Sequence, residues 1–144
     1  MDALRDPGNM GTILRLCDWF GVHQIICTDD CVDVFNEKVV QASMGSVAVT
    51  AAFYKTREEI ASFLKENNFT VYGADMNANS VYETNYQTKS ALILGNEGQG
   101  ISVELDDIIS ERITIPAAQN AKAESLNVAT AAAILLSDYS RKAN

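Results

Sequence analysis

A chain of 144 residues with 47% hydrophobic content is long and apolar enough for one domain with a sizeable core. Its 19 acidic and 11 basic side chains leave a formal net charge of −8, which argues against a free-standing nucleic-acid binder with a basic face. No apolar run reaches membrane-spanning length, and no charged-then-apolar leader opens these residues.

Met1-Asp2-Ala3-Leu4 leads almost at once into a glycine-bearing turn, with room only for a short first strand at residues 1–4. That layout is expected of a chain cut from a longer protein, and a part upstream would also account for the absent basic surface. Asp6-Pro7-Gly8-Asn9-Met10-Gly11 reads as a glycine-rich loop running into a helix over residues 9–20. Met10, Ile13, Leu14 and Cys17 stand at helical spacing there, and Gly21 is a stop. Residues 24–27 form a short apolar strand, with His23 at its head. As the sole histidine, His23 reads as structural, and a Ser-His-Asp device has no support.

Cys17, Cys27 and Cys31 are an odd number of cysteines. Cys27 and Cys31 have a spacing that suits a metal, but no second Cys/His pair accompanies them. They are expected to be free, buried or half-buried thiols of a cytoplasmic protein, and no metal site is expected.

Residues 36–44 look helical and residues 47–50 read as a β-branched strand. Thr56 is an N-cap for an amphipathic helix running to about residue 67. Arg5, Arg15, Lys38, Lys55 and Arg57 are the basic residues available for a local patch on an otherwise acidic protein; without one, a partner segment must supply the grip on nucleic acid. Residues 70–74, 91–94 and 112–115 are further strands, short and apolar enough for a sheet covered on both faces. The alternation predicts an α/β domain, with a mostly parallel sheet and helices on both faces. The last helix is expected to begin near Ser125. Ser125 and Asn127 at its entrance can satisfy free backbone N–H groups and also present a hydroxyl and an amide to a ligand.

Two glycine-rich stretches can carry chemistry: residues 6–11, with Arg15 one and a half turns into the helix, and residues 95–100, which hold Glu97 at the end of a strand. Glycines let a backbone approach a ligand, and the carboxyl ends of parallel strands are where such sheets bind ligands. Either stretch alone is equally well read as a tight turn. Gly95, Gly98 and Gly100 run in the reverse order of a dinucleotide fingerprint, and no P-loop lysine follows.

Together, three stretches match something. Asn9-x-Gly11-x-x-x-Arg15, then Leu92-x-x-Gly95-x-Glu97-Gly98-x-Gly100, then Ile115-Pro116 with Ser125-Leu126-Asn127-Val128 resemble, in order, the motifs of the SpoU (TrmH-like) branch of the SPOUT RNA methyltransferases. The resemblance runs over about residues 6–136. It implies an α/β catalytic domain over the whole of residues 1–144, with a C-terminal deep trefoil knot, a rare exception to unthreaded chains. It further implies S-adenosylmethionine bound in the knot, methyl transfer to a ribose 2′-hydroxyl of tRNA or rRNA, and a homodimer with the site near the subunit interface. Many members carry an N-terminal RNA-binding domain resembling a ribosomal protein, which here would lie upstream.

Carried over by residue, the resemblance implies that Gly95, Ile115 and Leu126 bind the cofactor, largely through backbone groups around the adenosine. Leu94, Gly98 and Ala74 fall on the same pocket wall. Asn9, Arg15, Glu97, Ser125 and Asn127 match the polar residues associated with catalysis. A guanidinium stays protonated, so Arg15 is expected to hold an RNA phosphate and stabilise developing alkoxide charge. The bland alternative is a salt bridge from Arg15 to Glu97 or Asp18. Glu97 is expected to order the loop around Asn9. Ser125 and Asn127 either cap the last helix alone or also shape the site. The segment 117–124 is longer than the family's usual link and lacks the Met and Gly often found there, and Gln41 stands where many relatives have a basic residue. The rival readings are a catalytically silent RNA-binding or dimerisation module of the same fold, and an α/β enzyme for a different nucleotide.

Overall fold

The protein is described here by a computed structural model covering residues 1–143. Helix α1 (Pro7–Trp19) is followed by β1 (Gln24–Thr28), α2 (Glu37–Ser43), β2 (Ala51–Lys55), α3 (Arg57–Glu66) and β3 (Thr70–Ser80). Then come β4 (Ser90–Ile93), the single turn α4 (Val103–Asp106), β5 (Glu111–Thr114) and the long α5 (Val128–Ala143). All ladders between these strands are parallel: β1 pairs with β2, and β3 lies between β4 and β5.

The two ladders are joined by residues 1–4. Met1 N donates to Ile26 O at 2.7 Å, Thr28 N donates to Met1 O at 3.0 Å, and Asp2 N donates to Leu94 O at 3.0 Å. The expected first strand thus bridges β1 and β4 through a few bonds but does not form a regular strand, because Ala3 turns to φ +52°. Asp2 is buried and accepts from Arg57 Nε at 3.1 Å and from Ser102 N at 2.6 Å, so this joint is tied to both sheets' helices.

Both faces are covered. Met10, Ile13, Leu14 and Cys17 of α1 recur at i, i+3, i+4 and i+7 and are buried with Ala129, Ala132 and Leu135 of α5 against Tyr72, Leu94 and Ile113. Ile60 and Leu64 of α3, with Leu105 and Ile108, cover the other face at Val71 and Ile93. Neighbouring strand residues (Val71 and Tyr72, Ile93 and Leu94) fall in opposite layers, as the pleat requires.

Three expectations fail locally. Residues 47–50 are not a strand: Gly45 turns to φ +97°, a 3₁₀ turn spans Ser46–Ala48, and pairing with β1 begins at Ala51. Residues 7–11 are not a loop but the first turns of α1, with Asp6 as its cap, and Gly11 serves packing, since a Cβ there would lie 2.7 Å from Val39 O and 2.9 Å from Ser43 N of α2. The last helix starts at Val128, three residues after Ser125.

Candidate active site

Parallel register brings the carboxyl ends of three strands level: Gly73 lies beside Ile93, and Ala74 beside Ile113. After Ala74 strand β3 bulges, and pairing resumes with Asn79 against the same Ile113. Ala74, Leu94, Gly95 and Ile115 therefore lie at or just beyond one edge of the sheet, the edge where open parallel sheets bind ligands.

Above this edge two helices begin. Asp6 caps α1, accepting from Asn9 N at 2.7 Å, with Pro7 as the first helical residue. Asn127 caps α5, its Oδ1 accepting from Ala129 N at 3.0 Å and Thr130 N at 3.2 Å. Their side chains meet: Asn127 Nδ2 donates to Asn9 Oδ1 at 2.9 Å, and Asn9 Nδ2 donates to Glu97 Oε1 at 2.6 Å. Asn9 is thus fixed at both ends of its amide. The carboxylate of Glu97 sits near two helix N-termini, whose partial positive charge favours an anion there.

Glu97 is held by the turn that carries it. Asn96 N donates to Gly100 O and Gly100 N to Asn96 O, each at 2.9 Å, closing residues 96–100 into a loop. The Asn96 side chain accepts from Gly98 N at 2.9 Å and Gln99 N at 3.1 Å, and its Nδ2 donates to Ala3 O at 2.9 Å. A Cβ on Gly95 would collide with the Gly100 backbone, and Gly100 itself has φ +73°. These two glycines are required by loop closure. Gly98 has room for a Cβ and lies exposed at the tip.

Not all expected residues join this cluster. Ser125 is exposed and makes no hydrogen bond among the described residues; Asn127 alone caps the helix. Arg15 pairs with neither Glu97 nor Asp18. Asp18 accepts instead from Ser46 Oγ at 2.8 Å, and Arg15 lies exposed on the face of α1 that carries Thr12, Leu16 and Trp19. Leu126 stays 48% exposed beside Asn127. The basic patch does not form as a unit. Arg57 is held by Asp2 and Asp30, Lys55 by Glu59, and Arg5 lies 3.8 Å from Asp30, leaving Arg15 and Lys38 without ion pairs among the described residues.

Asn96 and Asp6 were not singled out in the sequence, although an Asn two residues before a glycine is a turn signal and Asp before Pro at a helix start is a capping signal. The cysteines are free, Cys17 and Cys27 buried and Cys31 half-buried. A hydrogen bond from Cys27 pulls the Cys31 thiol down to about 6, whereas burial pushes Cys17 up to about 11. Among the described residues no three His, Cys, Asp or Glu side chains are grouped to hold a metal ion, and no helix is long and apolar enough to cross a membrane.

Comparison with known proteins gives concordant matches. The SpoU rRNA Methylase family model matches residues 1–137. The Bacillus subtilis 23S rRNA (guanosine(2553)-2′-O)-methyltransferase RlmP is 35% identical over 137 residues, covering 94% of this chain and 54% of that protein. A TrmH-family structure from Porphyromonas gingivalis superposes with a TM-score of 0.89 at 42% identity, covering 98% of this chain and 57% of that one. An AdoMet-bound rRNA methyltransferase from Sinorhizobium meliloti does so with a TM-score of 0.91 at 32% identity, covering 97% and 54%. The chain spans a little over half the length of these relatives.

Proposed function

The chain belongs to the SpoU rRNA methylase family, and from that premise we propose that it is the catalytic part of an enzyme that methylates a ribose 2′-hydroxyl of rRNA or tRNA with S-adenosylmethionine. The observation that carries the reading is the Asn127–Asn9–Glu97 chain of hydrogen bonds, which gathers all three motifs across 118 and 88 positions of sequence.

The residues at the strand ends fit the cofactor. Leu126 keeps nearly half its surface open, 48%, and an apolar surface of that kind suits the face of an adenine ring. Gly95 and Ile115 offer main-chain groups at the same edge, with Leu94, Gly98 and Ala74 as neighbouring wall. When bound, the cofactor supplies a methyl group already activated on a sulfonium. The protein's work is then alignment and help in ionising a reluctant hydroxyl. Asn9, fixed at both ends, holds Glu97 and the start of α5 in one arrangement, so the nucleoside meets a rigid rim. Arg15 remains a cation throughout and supplies charge to an RNA phosphate or to the developing alkoxide. Ser125, in the open segment ahead of the cap, is in this reading a contact for substrate. The knotted C-terminal path, an upstream RNA-binding domain and a cytoplasmic location belong to the same proposal.

The homodimer is also part of it. Trp19 is 82% exposed, and Leu16, Phe20, Ala133 and Ile134 are only partly covered on the adjoining faces of α1 and α5. A second copy seated there would cover this apolar surface and bring Arg15, on the same face of α1, to the seam between subunits. Calorimetry on the full-length protein tests the cofactor assignment: S-adenosylhomocysteine should bind once per subunit. Absence of binding by a folded dimer would favour the silent module instead.

A further inference from the structure

Arg112, on β5, belongs to none of the three motifs, yet it joins two segments that border the candidate site. Its guanidinium is forked: Nη1 donates to Asp75 Oδ2 at 3.0 Å, and Nη2 donates to Asp106 Oδ1. Asp75 is the residue at which β3 leaves the sheet, since residues 75–78 lie between Ala74 and Asn79, both of which stand opposite Ile113. Asp106 ends the α4 turn, which follows the Glu97 loop and is anchored by Ser102 N donating to Asp2. The excursion at 75–78 has little apolar packing to hold it. Met76 is 62% exposed, Asn77 is exposed, and neither Met76 nor Ala78 joins the apolar layers on the two faces of the sheet among the described residues. Its shape rests on polar ties instead. Asn77 N donates to Asp75 Oδ1 at 2.9 Å, and Thr114 Oγ1 donates to Met76 O at 3.1 Å, which lays the excursion alongside the residue before Ile115. The Asn77 N–H and, after it, Arg112 hold the Asp75 carboxyl below its ordinary range against some burial. A planar guanidinium can hold two carboxylates at once in a fixed geometry, and an ammonium lacks that fork.

We propose that Arg112 is a positioning residue for the cofactor: by clamping Asp75 to Asp106 it fixes residues 75–78 as a wall beside Ala74 and Ile115. The inference rests on S-adenosylmethionine occupying the strand ends and extends that reading to a residue outside the three motifs. The clamp is open to solvent, the Arg112 side chain being 40% exposed, so its loss costs little folding stability. The loss falls on ligand binding, because an excursion without the clamp must be ordered each time the cofactor is taken up.

The test is calorimetry with S-adenosylhomocysteine, beside steady-state methyl transfer to unmodified rRNA or tRNA, on full-length protein carrying Arg112→Gln, Asp75→Asn or both. Asparagine at position 75 keeps an acceptor for Asn77 N, so that variant removes the charge pair and spares the turn. Each single variant should weaken binding about fivefold and the double variant no further, because both remove the same tie. KM for S-adenosylmethionine should rise in step, with kcat within about twofold of the parent. The melting temperature without ligand should move by no more than about 5 °C. Losses that multiply in the double variant, or a fall in kcat with KM unchanged, would overturn the inference. Variants that bind as tightly as the parent would remove it and leave the cofactor assignment standing. A folded parent that does not bind would remove both.

Discussion

At the residue scale, Asn9 and Arg15 separate two kinds of contribution. Asn9 holds partners from two distant segments, so Asn9→Ala removes a bond to Glu97 and one to Asn127 at once. Arg15 makes no ion pair among the described residues. Arg15→Ala should therefore leave cofactor affinity within about twofold while methyl transfer falls about 10²-fold, the scale of losing one charge-stabilising donor. Asn9→Ala should weaken both. Binding calorimetry beside a methyl-transfer assay distinguishes the two variants, and equal losses of affinity would remove the distinction. A second residue-scale expectation concerns the thiols. With its pKa drawn down to about 6, Cys31 should be alkylated by iodoacetamide at pH 7 well ahead of Cys17 and Cys27, as read by peptide mass mapping. Asn9, Glu97 and Asn127 were legible in the sequence only through the resemblance of the three motifs, since each alone reads equally well as a turn or capping residue. Asn96 and Asp6 were not, because they act only on backbone N–H groups, and such bonds leave no periodic trace.

At the scale of elements, the sequence was most informative where local chemistry decides. Thr56 and Glu59 form a reciprocal capping box, Thr56 N donating to Glu59 Oε2 at 2.9 Å and Glu59 N to Thr56 Oγ1 at 3.3 Å, and α3 starts where those residues place it. Strand β2 was misplaced because β-branched Val47, Val49 and Thr50 follow a glycine in left-handed conformation, whereas the alanines at 51 and 52 are drawn into pairing by β1. Tertiary pairing outweighed local propensity there. The end of α5 gives a pH-dependent prediction. Burial alone would raise Asp138, but Lys142 at 2.9 Å and Arg141 at 2.7 Å outweigh it and hold the carboxyl below the ordinary range. A carboxyl depressed in the folded state stabilises above its unfolded value near ~3.9 and loses that contribution as pH falls through its folded value. Asp138→Asn should thus cost about 1–3 kcal/mol at pH 7, and the difference from the parent should shrink below about pH 4 in urea melts. A difference that stays constant with pH would mean that packing, not charge, is what the substitution removes.

For the whole molecule, a parallel sheet covered on both faces was legible from strand–helix alternation, but the joining of its two ladders through residues 1–4 was legible only in outline. Hydrogen bonds of Met1 and Asp2 with Ile26 O, Thr28 N and Leu94 O decide that joint, and none is local in sequence. The acidic charge of −8 also finds a physical setting. Arg57, Lys55 and Arg5 face carboxylates within the fold, so of the five basic residues in the first half Arg15 and Lys38 are the two left to meet RNA under the proposed function. If the proposed homodimer forms through this face, Trp19→Glu should yield monomer in sedimentation velocity without lowering helix content. A dimer that persists would move the interface elsewhere.

The central claim is tested most directly by supplying full-length protein with methyl-deuterated S-adenosylmethionine and unmodified rRNA or tRNA, then digesting to nucleosides for mass spectrometry. The label should appear on a ribose 2′-oxygen and should fall sharply with Arg15→Ala. Label on a base, or none from protein that binds the cofactor and the RNA, would contradict the account.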